Sequence, residues 1–205
     1  MHRGPDRPQR PARRVAILAG GQSRRMGSDK ALLALEGRPL LTRIARAAQA
    51  AGAGVVVVGR ARDRDLALDD VEFVPDALPG QGPLGGLHTA LLHAAGDAVL
   101  LVACDMPNLT AAAFSWLFGI AEGLALYDGL VVVHEARPEP LFAIYTASCR
   151  PLVLRHLATR ELSMRALIGA GRFARAVATP EVADALVNLN TPSELCSYRS
   201  AGSAS

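Results

Sequence analysis

The stretch VAILAGGQSRRMGSDK, residues 15–30, decides the fold of this chain. Its apolar run 15–19 ends in a pair of glycines, a pattern typical of a buried β-strand that turns sharply. Similar apolar runs predict further strands at 55–58, 71–74, 98–104, 130–134, 141–145 and 173–178. The segments around them predict helices at 30–34, 40–51, 87–95, 110–121, 151–159 and 161–169, and another that begins at Thr191.

Strands therefore alternate with helices, and several strands are apolar on both faces. Such strands are typical of a sheet covered on each side. We expect an α/β fold, a three-layer, doubly wound domain with a mostly parallel sheet. In sheets of this kind, ligands bind at the carboxyl ends of the strands.

The composition fits one globular domain. The chain has 205 residues, of which 50% are hydrophobic and 20% charged. We expect a disordered basic tail at 1–14, the folded domain at 15–198 and a flexible end at 199–205. No apolar run approaches the roughly 20 residues of a membrane helix, and the basic start has no apolar core of a signal peptide, so no membrane association is expected.

The net charge of +3 does not predict a nucleic-acid partner. Five arginines against one aspartate give residues 1–14 a charge of +4, which leaves −1 for the rest of the chain. A nearly neutral body lacks the broad basic face that nucleic acids require. Three widely spaced cysteines without a CxxC pair favour a reducing, cytoplasmic location.

The loop after the first strand has the chemistry of a polyphosphate site. Gly20 and Gly21 let the backbone approach a ligand closely, and Arg24, Arg25 and Lys30 supply positive charge. Lys30 is the only lysine in the chain, which indicates a position where a slim ammonium fits and a guanidinium does not. The spacing does not match a Walker A motif, because two residues separate Gly27 from the lysine.

Two aspartates follow predicted strands at the same edge. Asp105 ends an apolar strand and can hold Mg²⁺, although an aspartate there can also simply form the turn. Asp76 can accept hydrogen bonds from a base or a ribose, or can serve only as a turn residue. The GxGxxG pattern at 80–85 does not directly follow a strand and contains Pro83, so it predicts a loop that opens a helix rather than a dinucleotide site. We expect Gly85 and Gly86 in that loop to allow close approach of a nucleotide.

Taken together, these motifs resemble those of the molybdenum cofactor guanylyltransferases, the MobA family. The stretch LAGGQSRRMGSDK, residues 18–30, is similar to that family's LAGGxSxRMGxDK signature at every fixed position. The resemblance continues at 82–86, 104–107, 140–141 and 188–192, and it covers about residues 15–198. The loop 59–62 reads GRAR where family members often carry an asparagine that contacts the nucleotide, and Glu139 before Pro140 is unusual.

The resemblance implies a fold similar to the nucleotide-diphospho-sugar transferases. It implies transfer of GMP from Mg-GTP to the phosphate of the molybdopterin-bound molybdenum cofactor, with release of pyrophosphate. The implied nucleotide contacts are the backbone of Leu18, Ala19, Gly20 and Gly21, and the side chains of Lys30, Asp76 and Asp105. Arg25, Lys30 and Asp105 would be catalytic, Asp105 would bind Mg²⁺, and Asn188 and Asn190 would line the pterin side.

Other activities remain open at this point. A molybdopterin cytidylyltransferase or a sugar-1-phosphate nucleotidylyltransferase carries related motifs, and a non-catalytic GTP-binding protein could keep the same fold. Beyond GTP and the molybdopterin-bound cofactor, the partners that the resemblance suggests are delivery proteins and the molybdoenzymes that receive the product.

Overall fold

The computed structural model describes residues 13–20, 30–62, 66, 68–121 and 124–187. Its strands are β1 Arg14–Leu18, β2 Ala34–Leu35, β3 Arg38–Pro39, β4 Gly54–Val58, β5 Val71–Val74, β6 Val99–Ala103, β7 Gly129–His134, β8 Arg137–Tyr145 and β9 Phe173–Val177. Its α-helices are α1 Leu40–Ala50, α2 Gly82–His93, α3 Ala111–Ile120, α4 Arg150–Ala158, α5 Met164–Ala170 and α6 Pro180–Ala185. Short 3₁₀ turns lie at Lys30–Leu32, Leu124–Leu126 and Ala147–Cys149.

Within these residues, seven strands form one sheet in the order β5-β4-β1-β6-β8-β7-β9. The four strands β5, β4, β1 and β6 run parallel, and β9 runs parallel to β7. Strand β8 is antiparallel to both of its neighbours, β6 and β7. The expected doubly wound, mostly parallel sheet is therefore confirmed, with one reversed strand in its second half.

The sheet is buried on both faces, which is why its strands are apolar throughout. One face packs against α1, α3 and α6, through residues such as Ile44, Phe114 and Val182. The opposite face packs against α2, α4 and α5, through residues such as Leu87 and Val153. Successive residues of each central strand alternate between the two clusters. These are the two hydrophobic cores of a three-layer α/β domain.

Strand β8 is reversed because it follows β7 through a two-residue turn. His134 pairs with Arg137 across this hairpin, and the turn residues Glu135 and Ala136 have φ of 48° and 61°. Positive φ at both positions defines a type I′ turn, which connects antiparallel strands directly and leaves no room for a crossover helix.

Some element boundaries differ from those predicted. Residues 30–34 were expected to be helical, and this prediction is wrong beyond the single 3₁₀ turn Lys30–Leu32. The chain then forms the small β2–β3 hairpin, because Glu36 and Gly37 adopt the positive φ of a tight turn. Helix α2 begins at Gly82 rather than at residue 87. Pro83 fits its first turn, because N–H groups there have no partner within the helix and proline has no N–H.

Helix α6 was not predicted, although its start carries a clear signal. The Thr179 hydroxyl accepts a hydrogen bond from the Val182 N–H at 3.4 Å, and Pro180 occupies the first helical position. The predicted helix that begins at Thr191 lies outside the described residues, as do residues 1–12 and the predicted C-terminal end 199–205.

The last two residues of the predicted basic tail contact the body. The Arg14 guanidinium pairs with Asp97 at 2.8 Å, and the Arg13 guanidinium lies over the Phe118 ring, 5.3 Å from its centroid. No helix in the described part of the chain is long and apolar enough to cross a membrane.

Candidate active site

The candidate site lies at the edge of the sheet where β1, β4, β5 and β6 end. These strands run parallel, so their carboxyl ends meet at one edge. The segment 18–20 follows β1, Gly59 and Arg60 follow β4, Asp76 follows β5, and Asp105 follows β6. Of the residues predicted from sequence, the fold thus brings Leu18, Ala19, Gly20, Asp76 and Asp105 to the same edge.

The ends of β1 and β4 touch through two glycines. A Cβ on Gly20 would lie 2.7 Å from the Gly59 Cα and 2.9 Å from its carbonyl oxygen, and a Cβ on Gly59 would lie 2.7 Å from the Gly20 Cα. Gly59 also has φ +84°, a conformation that side chains rarely adopt. Both positions therefore require glycine, and the contact joins the ends of β1 and β4.

The same contact determines which backbone groups a ligand can reach. The N–H groups of Ala19 and Gly20 both donate to the carbonyl oxygen of Val58, at 3.0 and 3.1 Å. The N–H of Gly59 donates to the Val74 carbonyl oxygen at 2.9 Å, which joins the next strand end to the same arrangement. The N–H groups of Ala19 and Gly20 are therefore already bonded within the protein and are not available to a ligand.

Asp76 is held in place by Thr89 of α2. The Thr89 hydroxyl donates to Asp76 Oδ1 at 2.9 Å and accepts from the Ala77 N–H at 3.0 Å, while the Leu78 N–H donates to the same Oδ1 at 3.1 Å. Asp76 thus has the structural role in a turn that its sequence position allowed. A contact of its second oxygen, Oδ2, with a nucleoside stays a prediction.

Thr89 is a site residue that the sequence analysis missed. It is 5% exposed, and it follows Gly85 by one helical turn on the buried side of α2. The signal that could have found it is a buried hydroxyl on the helix that follows the aspartate, because buried polar groups need partners.

Gly85 and Gly86 serve packing within the protein. A Cβ on Gly85 would lie 2.8 Å from the Leu78 carbonyl oxygen, and a Cβ on Gly86 would lie 2.6 Å from a methyl group of Leu18. The expectation that they admit a nucleotide is therefore corrected: the space beside them is filled by the loop 76–81 and by the end of β1. Their smallness lets α2 approach the sheet closely.

Asp105 occupies the position expected of a metal ligand. It is partly exposed, two residues beyond the end of β6, and buried Met106 and Pro107 follow it. The described residues contain no group of three His, Cys, Asp or Glu side chains that could hold a metal by themselves. One carboxylate at an open edge still fits Mg²⁺, which keeps several waters and binds through one or two carboxylates together with substrate phosphates.

Several residues predicted for the site lie wholly or partly outside the described part of the chain. Gly21, Arg25, Asn188 and Asn190 are among them. The backbone of Lys30 is described at the start of a 3₁₀ turn, but its side chain is not. The roles predicted for these five residues stay predictions.

The histidine that neighbours the site is biased toward its neutral form. Burial and the positive charge of Arg150 lower the pKa of His88 below its ordinary value of 6.5, and Asp76 opposes that shift. His93, one and a half turns further along α2, instead pairs with Glu72 at 3.0 Å. The two histidines therefore have different surroundings.

Fold and site together define a class. The mostly parallel, doubly wound sheet is that of the nucleotidyltransferases with the nucleotide-diphospho-sugar transferase fold, in which ligands bind at the carboxyl ends of the strands. The model of the MobA-like NTP transferase domain matches residues 15–176, which is most of the chain. The chain therefore belongs to the MobA-like NTP transferase family.

Individual relatives agree with this assignment. A probable molybdenum cofactor guanylyltransferase from Pelotomaculum thermopropionicum is 36% identical over 190 residues, which cover 89% of this chain and 90% of the relative. A protein of the same description from Opitutus terrae is 39% identical over 172 residues, with 81% and 84% covered.

Solved structures give the same fold. The crystal structure of molybdopterin-guanine dinucleotide biosynthesis protein A from Archaeoglobus fulgidus superimposes with a TM-score of 0.76 at 25% identity, and covers 94% of this chain and 100% of that chain. A 2-C-methyl-D-erythritol 4-phosphate cytidylyltransferase from Thermus thermophilus shares the fold at 16% identity, with a TM-score of 0.62, and covers 94% of this chain and 100% of that chain.

Replacement of Gly20 by alanine tests the glycine contact. The new Cβ would meet backbone atoms of Gly59, which cannot move away as a flexible side chain could. We expect Gly20→Ala to lower the free energy of unfolding by about 1–3 kcal/mol, measured by urea denaturation. Gly119→Ala is the control: it lies in α3 with open space around it, and it should stabilise by roughly 0.5–1 kcal/mol. An unchanged urea midpoint for Gly20→Ala would contradict the proposed contact.

His88 predicts a dependence of stability on pH. Since its pKa is lowered by folding, the unfolded chain takes up a proton at a higher pH than the folded one. Stability associated with neutral His88 is therefore present above pH 6.5 and is lost as the pH falls through the folded-state pKa. Between pH 7 and pH 5, a range that spans the ordinary histidine pKa of about 6.5, we expect the melting temperature of His88→Gln to fall less steeply than that of wild type. His93→Gln is the control. Identical slopes for wild type and His88→Gln would exclude this contribution.

Proposed function

We propose that this protein transfers GMP from GTP to the phosphate of the molybdopterin-bound molybdenum cofactor and releases pyrophosphate. The observation that carries the proposal is its similarity, along nearly the full length of both chains, to relatives described as probable molybdenum cofactor guanylyltransferases. The described start of the signature, Leu18 to Gly20, follows β1 at the sheet edge where Asp76 follows β5 and Asp105 follows β6, and this shared position supports the proposal.

The chemistry requires positioning and charge more than acid–base groups. An oxygen of the acceptor phosphate attacks the α-phosphorus of GTP, a new P–O bond forms, and the bond to the β-phosphate oxygen breaks. The attacking oxygen is already anionic near neutral pH, so no strong general base is needed. The protein contributes by holding both phosphates in line and by balancing the charge that develops on the leaving pyrophosphate.

We assign these tasks to residues of the signature and of the β6 edge. Lys30 and Arg25 would contact the phosphates and offset the charge of the leaving pyrophosphate. Asp105 would hold Mg²⁺, which when bound polarises the phosphates and neutralises their charge. Asp76, held by Thr89, would orient the nucleoside, and Asn188 and Asn190 would line the acceptor side.

We assign the selection of guanine to backbone groups at the end of β1. The N–H groups of Ala19 and Gly20 are occupied by Val58, so these residues would offer a base their carbonyl oxygens. Guanine carries an N1–H and a 2-amino group on one edge, both of them donors, whereas the matching edge of cytosine or uracil presents a different pattern. Carbonyl oxygens at the end of β1 would therefore favour guanine. The cytoplasmic location and the delivery proteins or molybdoenzymes as partners stay predictions.

The choice of nucleotide tests the proposal. At a concentration far above its Kd, Mg-GTP should raise the melting temperature by several degrees, since a ligand at about 100 times its Kd adds roughly 2.7 kcal/mol. CTP and UTP should raise it much less, and pyrophosphate release should require both GTP and molybdopterin-bound molybdenum. Preference for CTP would identify a cytidylyltransferase, turnover with a sugar phosphate would identify a sugar nucleotidylyltransferase, and GTP binding without pyrophosphate release would identify a non-catalytic protein.

Asp105→Asn tests the metal-binding role. The amide keeps the size of the carboxylate but removes its charge, so we expect kcat/KM for Mg-GTP to fall by at least about 10²-fold. The Mg²⁺ dependence of pyrophosphate release and calorimetric titration with Mg-GTP would measure the effect. Asp97→Asn is the control, because Asp97 pairs with Arg14 near the amino ends of the strands. Wild-type affinity for Mg-GTP in Asp105→Asn would count against the assignment.

A further inference from the structure

A second group of charged residues lies at the same edge, on the other side of β6. Strand β8 is antiparallel to β6, so the first half of β8 borders the carboxyl end of β6, where Asp105 follows. Glu139 lies in that half. His134 ends the neighbouring strand β7, and Arg165 lies in the first turn of α5. The three charged side chains come from three different elements.

The backbone around Glu139 is unusually constrained. Prolines precede and follow it, and a residue before proline is restricted to extended conformations. The register between β7 and β8 shifts between Val131 and Val132, so that residues 140–142 bulge out of the β7 ladder. The buried Tyr145 hydroxyl donates to the Pro140 carbonyl oxygen at 2.8 Å and fixes this bulge. β-Bulges of this kind commonly direct a side chain toward a site.

Glu139 also costs the fold stability. Burial raises its pKa, and the nearby positive charges of His134 and Arg165 oppose the shift only in part. The hairpin that carries it adds strain, because Ala136 has φ 61° without being a glycine or an asparagine. Glu139 is thus a half-buried carboxylate on a strained hairpin at the edge of the sheet where β6 ends.

We propose that Glu139 binds the pterin ring of the acceptor through its 2-amino and N3–H groups. The inference rests on the proposed function, since it assigns the acceptor to the β8 side of Asp105. The pyrimidine part of a pterin presents two adjacent N–H donors, and an ionised carboxylate offers two acceptor oxygens in matching geometry. Arg165 and His134 favour the ionised carboxylate, although burial outweighs their effect on its pKa.

This placement gives the two substrates opposite halves of the edge. GTP is bound on the side of β5, β4 and β1, where glycines and backbone carbonyl oxygens line the site. The acceptor approaches from the side of β8 and β7, where a fixed carboxylate selects its ring. Its phosphate then points toward Asp105, between the two halves.

Ligand pairs that differ only at the 2-position test the proposal. The probes are a phosphorylated pterin, neopterin monophosphate, and the matching lumazine, in which an oxygen replaces the 2-amino group. Their intrinsic fluorescence reports binding directly, without turnover. We expect wild type to bind the pterin about 10-fold to 100-fold more tightly than the lumazine, in line with one or two charge-assisted hydrogen bonds. Glu139→Ala should reduce that preference to within about threefold.

Further variants separate recognition from folding. Glu139→Gln keeps the size and one acceptor oxygen, so it should lose part of the preference and melt no lower than wild type, because the charge is removed from a buried position. Glu161→Gln, exposed in the α4–α5 loop, should bind both probes as wild type does. KM for GTP should stay within about twofold in all variants, whereas KM for molybdopterin-bound molybdenum should rise in Glu139→Ala.

The outcomes distinguish this inference from the proposed function. If wild type shows no GTP-dependent pyrophosphate release, the proposed function fails. If wild type releases pyrophosphate but Glu139→Ala keeps the full preference for pterin over lumazine, only the role of Glu139 fails. Equal affinity of wild type for the pterin and the lumazine would also overturn the role of Glu139.

Discussion

The contact between Gly20 and Gly59 is the constraint on which the candidate site depends. Two strand ends can approach so closely only where neither carries a Cβ, and the hydrogen bonds from the Ala19 and Gly20 N–H groups to the Val58 carbonyl oxygen hold the first described residues of the signature in place. The chain of contacts continues from Gly59 to Val74 and from Asp76 to Thr89, so three loops and one helix are held in a single arrangement. A nucleotide would meet a preformed surface, which reduces the entropy cost of binding.

This arrangement also explains why the glycines of the chain are not interchangeable. Gly20 and Gly59 let the ends of two strands touch. Gly85 lets the loop 76–81 pack against α2, and Gly86 does the same for the Leu18 side chain. Sequence patterns alone do not separate these uses, because a glycine that approaches a ligand and one that approaches another part of the protein look the same. The space around the missing Cβ decides between them.

Much of the fold could be predicted from the sequence, because strands buried on both faces have a strong apolar signal. The run 55–58 is an example, and it forms the core of β4. The conformation of segment 30–34 could not be predicted, because its five residues are compatible with either a helix or a hairpin. The packing of Leu33 and Leu35 against Leu40 is a contact that the local pattern does not contain. At the site, Asp76 and Asp105 could be located by their position after strands, while Thr89 and the β7–β8 bulge depend on contacts between segments far apart in the chain.

The reversed strand β8 separates the two halves of the sheet edge in chemical character. Parallel strands bring their ends and the loops that follow to this edge, so β1, β4 and β5 present glycines and backbone groups. An antiparallel strand instead has its first residues at this edge. The side chains that β8 presents there therefore belong to residues that pair with β7. Side chains on a paired strand are more rigid than those on a loop, and rigid charges discriminate better between ligands of similar shape. Asp105, after the last parallel strand before the reversal, lies at the boundary between the two halves, where two phosphates that approach from opposite sides would meet.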